Sequence, residues 1–87
     1  MDLEIQEILE DNYRNIDILV EYLGINKYSI KIGIKNDNMI YESHIIFYYN
    51  RKLTLDANVD KIKNVINNII LSFYYRKGDK NGKSNYI

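Results

Sequence analysis

Residues 28–35, YSIKIGIK, alternate apolar and polar side chains without a break, and this run constrains the fold more than any other stretch. A period of two puts Tyr28, Ile30, Ile32 and Ile34 on one face and Ser29, Lys31, Gly33 and Lys35 on the other. That is the signature of a strand buried on one side, and its apolar side needs a second layer to cover it.

The flanking sequence supplies candidates for both layers. Asn36-Asp37-Asn38 is a turn cluster of residues that accept positive φ. Met39 to Tyr49 follows as a second strand, with Met39, Tyr41, Ser43, Ile45, Phe47 and Tyr49 on one face and Ile40, Glu42, His44, Ile46 and Tyr48 on the other. Both faces are partly apolar, so the register stays open and a bulge is admissible. Asn50-Arg51 suits a tight turn into a short third strand, Lys52 to Leu55.

Two segments carry the helical period. In Asp2 to Leu23, Ile5, Ile8, Leu9, Ile16, Leu19, Val20 and Leu23 fall on one side, with Asp2 as the N-cap and Gly24 as the stop. Asp56 opens a second helix, in which Val59, Ile62, Ile66, Ile69, Ile70 and Phe73 recur at three- and four-residue spacing to about Tyr75. Arg76 to Ile87 is polar and basic and reads as a flexible tail after a single compact domain, residues 1–75. The expected fold is α+β: a two-layer α-β-β-(β)-α arrangement, an antiparallel meander with both helices packed on one face.

Composition narrows the chemistry. The chain has no Cys, no Pro, no Trp and one His. A disulfide scaffold, a thiolate metal site and a thiol nucleophile are therefore excluded. No apolar run reaches the roughly 20 residues of a membrane span, and the acidic start, MDLEIQEILED, is unlike a signal peptide. A soluble cytoplasmic protein is expected, in the host cell cytoplasm if viral. Sixteen Ile, 12 Asn, 9 Lys and 9 Tyr stand against one Ala and three Arg. These preferences follow A/T-rich codons and point to an AT-rich microbe, its phage or a mobile element.

The formal net charge of zero conceals a sorted distribution. Residues 1–25 carry −6, residues 26–56 carry +2 and residues 57–87 carry +4. The acids Glu4, Glu7, Asp11, Asp17 and Glu21 share one side of the first expected helix. Glu42, His44, Ile46 and Tyr48 share the free face of the second strand. Paired Tyr48-Tyr49 and Tyr74-Tyr75 cannot bury both members alike, so one of each pair belongs near the surface.

Enzymatic motifs are lacking. His44 and Glu42 share a face as an acid/base pair would, but Ser29, Ser43, Thr54, Ser72 and Ser84 lie in no nucleophile motif and no glycine-rich phosphate loop occurs. No metal and no cofactor is expected. The α-β-β-β-α order is also that of double-stranded-RNA-binding domains. Those begin their last helix with a basic cluster, whereas Asp56-Ala57-Asn58-Val59-Asp60 begins with acids.

The expected function is that of a small non-enzymatic module that docks on a larger protein, in the manner of phage or mobile-element inhibitors of host defence such as anti-CRISPR proteins. Its partner surface would comprise Glu4, Glu7, Asp11, Asp17, Glu21, Glu42, His44, Ile46 and Tyr48, and a homodimer is a further expectation. The alternative is a nucleic-acid-binding or regulatory module using Lys61, Lys63, Arg76, Lys77, Lys80 and Lys83.

Overall fold

A computed structural model describes residues 2–36 and 39–82, apart from the side chains of Asp2, Asn36 and 76–82. The order is α1 (Asp2–Asn12), β1 (Ile16–Gly24), β2 (Lys27–Asn36), β3 (Met39–Tyr48) and α2 (Leu55–Gly82). The three strands form one antiparallel sheet in the order β1-β2-β3. The α+β meander with both helices on one face is therefore observed, although one strand comes from an unexpected place.

The first expected helix is two elements. α1 stops at Asn12, whose side-chain Nδ2 donates to Ile8 O at 2.8 Å. Residues 16–24 then form a strand. This stretch satisfies two periods at once. Ile16, Leu19, Val20 and Leu23 fit a helix, while Ile16, Ile18, Val20 and Tyr22 fit a strand. Pairing decides between them: Ile18 lies opposite Ile32 and Val20 opposite Ile30. Strand geometry suits the β-branched side chains and gives the alternating run its neighbour.

The hairpin between β1 and β2 is a two-residue loop, Ile25-Asn26, between paired Gly24 and Lys27. Gly24 has φ +106°, Ile25 +40° and Asn26 +60°. The glycine does adopt a positive φ, but at a hairpin rather than at a helix end. Positive φ at both loop positions is the type I′ pattern, which favours Asn, Asp or Gly. A β-branched residue there is strained, and Ile25 is 86% exposed, so packing returns nothing. Ile25→Asn is expected to raise the unfolding free energy by about 1 kcal/mol in urea denaturation.

β3 pairs with β2 in unbroken register from Lys27↔Tyr48 to Asn36↔Met39. Among the described residues, the ladder irregularity lies between Tyr22 and Gly24 of β1. Of the expected turn cluster, Asp37 and Asn38 lie outside the described residues.

The expected third strand at Lys52–Leu55 is instead a turn leading into α2. Asn50 Oδ1 accepts from Lys52 N at 2.9 Å and Leu53 N donates to Asn50 O at 3.0 Å, so local side-chain chemistry captures the backbone. The helix cap is Thr54, not Asp56: Thr54 Oγ1 accepts from Ala57 N at 3.1 Å. Asp56 sits in the first turn, where its charge suits the helix dipole. The helical backbone continues past Tyr75 to Gly82, and residues 83–87 lie outside the described residues. The Asp2 side chain, expected as a cap, also lies outside them.

The core lies between the helices and the inner sheet face. Ile5 and Leu9 from α1 and Val59, Ile62, Ile66 and Phe73 from α2 meet Ile18, Val20, Tyr28, Ile30, Ile32 and Ile34. Tyr13 ties the helices together: its hydroxyl donates to Asn67 Oδ1 at 2.7 Å and lies 3.3 Å from Lys63 O. Burial raises the Tyr13 phenol pKa above its ordinary 10.0. A raised folded-state value leaves stability unchanged below pH 10 and lowers it as pH rises through the folded value. Tyr13→Phe should remove that alkaline loss and cost about 1 kcal/mol at neutral pH, read by denaturation at both pH values.

Candidate functional site: the outer face of the sheet

Because both helices pack on the inner face, the residues alternating with the core point to the other side. The register arranges them in rows. Asp17, Gly33 and Glu42 form one row, Leu19, Lys31 and His44 the next, and Glu21, Ser29 and Ile46 a third. Lys35 opposite Ile40 and Lys27 opposite Tyr48 close the two ends. Within a row, directly opposed side chains start about 5 Å apart across the strands.

The face is apolar and charged in alternation. Ile40 is 66% and Tyr48 65% exposed, and Leu19 and Ile46 are also exposed. Carboxylates come from Asp17, Glu21 and Glu42, and cationic groups from Lys31 and Lys35. Gly33 leaves the centre low. An open depression of about 660 Å3 lies over it, bounded by Asp17, Leu19, Lys31, Lys35, Ile40, Glu42 and His44. A Cβ at position 33 would lie 3.6 Å from Asp17 Cβ, so any side chain there would begin to fill the depression.

His44 does not engage Glu42. Its Nε2 lies 2.6 Å from Ser29 Oγ, on the neighbouring strand. A serine bonded to a histidine has the form of a nucleophile and its base. Ser29, however, is only 4% exposed, so its oxygen is shielded where a nucleophile must be reached. The bond satisfies a buried hydroxyl and holds the imidazole down on the sheet. Among the described residues, no three His, Cys, Asp or Glu side chains converge as a metal site. Among them, too, no helix is long and apolar enough to cross a membrane.

The expected partner surface divides in two. Glu42, His44, Ile46 and Tyr48 share the outer face as their alternation implies. Asp17 and Glu21 join them, because they belong to β1 and not to the first helix. Glu4, Glu7 and Asp11 are exposed on α1, which packs on the inner face. One acidic helix face running from residue 4 to 21 therefore does not exist. Leu19 and Gly33 belong to the site as well, beyond the residues expected there. Leu19 was concealed by its fit to the helical stripe, and the alternation of Asp17 and Glu21 with Ile16, Ile18 and Val20 was the signal.

Of the basic candidates, Lys61 and Lys63 have described side chains. Lys61 and Lys63 are two residues apart on α2 and so point to different sides. Lys63 lies 3.7 Å from Asp60. The side chains of Arg76, Lys77 and Lys80, and the whole of Lys83, lie outside the described residues. The paired tyrosines differ from each other: Tyr48 is exposed and Tyr49 half-buried, whereas Tyr74 and Tyr75 are both exposed.

No family model matches the chain, and no curated protein and no solved structure shows a match to it.

Proposed function

We propose that this chain is a non-enzymatic docking module that binds a larger protein through the outer face of its sheet. The reading rests on one observation: Leu19, Ile40, Ile46 and Tyr48 stand exposed on a rigid sheet face, interleaved with charges of both signs. Exposed apolar side chains gathered on one face of a sheet favour an interaction surface. Tyrosine amid a charged rim is the composition of protein interfaces, where the apolar groups supply affinity and the charges set register. Asp17, Glu21 and Glu42 would repel phosphates, which favours a protein over a nucleic acid on this face. The A/T-driven composition fits a phage or mobile element. The specific activity proposed is inhibition of a host defence protein by covering its surface, as anti-CRISPR proteins do.

Co-purification from extracts of the source cell tests the reading. The variant Ile46→Lys/Tyr48→Lys should fold and lose the bound larger protein. Glu7→Lys/Asp11→Lys, on the exposed side of α1, should keep it. Retention by the sheet variant would reject the outer face as the docking surface.

A further inference from the structure

The two edges of the sheet are finished differently. On β1, the Val20 amide donates to Gln6 Oε1 at 3.0 Å, and α1 lies along that side. This bond also fixes the hydrogen-bonding phase of the whole sheet. Val20 is a core-face residue whose amide points away from β2. In an extended strand, residues on the same face point their amides to the same edge. Core-face residues of β1 therefore point outward, and its outer-face residues bond to β2. In β2 the outer-face residues bond to β1 and the core-face residues to β3. It follows that in β3 Ile40, Glu42, His44, Ile46 and Tyr48 present their N–H and C=O groups to the far edge. Tyr49, one step beyond, is on the inward phase, and its amide does donate to Asn26 O at 2.7 Å.

That far edge is ten residues long and contains one acid and no lysine, proline or bulge to discourage pairing. Burial is incomplete along it as well. Tyr41, Ile45 and Phe47 are only half-buried, whereas their β2 neighbours Ile34, Ile30 and Tyr28 are buried.

We infer that the β3 edge pairs antiparallel with β3 of a second copy of this chain, in the register that places Ser43 opposite Ser43. The two copies would then form one continuous six-stranded sheet.

The sequence of β3 selects both occupant and register. A two-fold axis normal to the sheet requires paired residue numbers to sum to an even value. Otherwise, inner-face residues would face outer-face ones. A sum of 84 opposes Glu42 to Glu42, and a sum of 88 opposes His44 to His44 and Glu42 to Ile46. A sum of 86 opposes Glu42 to His44 and Ile40 to Ile46 on the outer face. On the inner face, it opposes Tyr41 to Ile45 and Met39 to Phe47. The acid meets the imidazole twice across the axis, and the half-buried inner residues gain cover. Ser29 holds His44 Nε2, which leaves Nδ1 for the carboxylate of the second copy. The outward phase makes the pairs 42–44 and 40–46 hydrogen-bonded, for about eight backbone bonds in all. The central 43–43 pair is non-bonded, with α-carbons about 4.5 Å apart. A small residue suits that spacing.

The inference concerns the edge of the sheet and does not depend on what its outer face binds. The chain has no cysteine, so disulfide trapping reads the register directly. Ser43→Cys is expected to form a covalent dimer under mild oxidation, because the central spacing falls within disulfide range. Tyr48→Cys is more exposed but lies far from its copy, and it should remain uncrosslinked. Sedimentation equilibrium of the unmodified chain should show a dimer. Glu42→Lys should weaken self-association roughly tenfold, because the carboxylate that meets the imidazole is lost at two symmetric places. A wild-type chain that stays monomeric at high micromolar concentration overturns the inference. So does crosslinking through Tyr48→Cys with none through Ser43→Cys. If Ser43→Cys fails to fold, an unchanged dimer in Glu42→Lys overturns it instead.

Discussion

Asn58→Ala is expected to lower the unfolding free energy by about 2–3 kcal/mol, the largest loss from any polar side chain among the described residues. Asn58 is 0% exposed, and its amide has its partners in one short stretch of backbone. Oδ1 accepts from Asn50 N at 2.7 Å, while Nδ2 donates to Asn50 O at 2.9 Å and Thr54 O at 2.9 Å, with Leu53 O at 3.4 Å. The side chain thus fastens the end of β3 to the start of α2, and truncation strands a donor and several acceptors together. Asn58→Asp separates this account from simple loss of volume. It keeps the acceptor for Asn50 N but turns a carboxylate oxygen toward three carbonyls, so it should cost at least as much as alanine at neutral pH. Urea denaturation of both variants decides the matter. Losses within about 0.5 kcal/mol of wild type, the range of an ordinary surface change, would contradict it.

The second large effect tests the two-sidedness of the sheet. Ile30 is fully buried at the centre of the inner face, and Ile30→Ala should cost about 3 kcal/mol. Ile46, an isoleucine of the same sheet turned to the outer face, should cost about 0.5 kcal/mol on the same change. A loss of 3 kcal/mol is a large share of the total stability of a domain this small. Equal losses at the two positions would mean that both faces are covered.

Much of this architecture was legible in the sequence, and the failures share a cause. β2 was readable because its alternation admits no other period over that length, whereas β3, apolar on both faces, was readable as a strand but not in its register. The segment 16–24 fits helix and strand equally, and only its pairing with β2 separates them. Local pattern carries no information about that pairing. The hydrogen bonds at Asn50, Thr54 and Asn58 redirected residues 52–55 from strand to helix start, and the residue types allowed either outcome.

The site was half legible for the same reason. Glu42, His44, Ile46 and Tyr48 required only the alternation within one strand. Their union with Asp17 and Glu21 required the register across three strands. The contact between Ser29 and His44 required it too, and nothing local in either residue marks the other as its partner.

The central claim is that the outer sheet face, and not the acidic side of α1, meets a larger protein. Site-specific photocrosslinking in the source cell tests it most directly, with the reactive side chain placed singly at Ile46, Tyr48, Glu7 or Asp11. The account predicts one discrete adduct with a larger protein, heavier than a self-dimer, from positions 46 and 48, and none from positions 7 and 11. Adducts from positions 7 and 11 alone would contradict it.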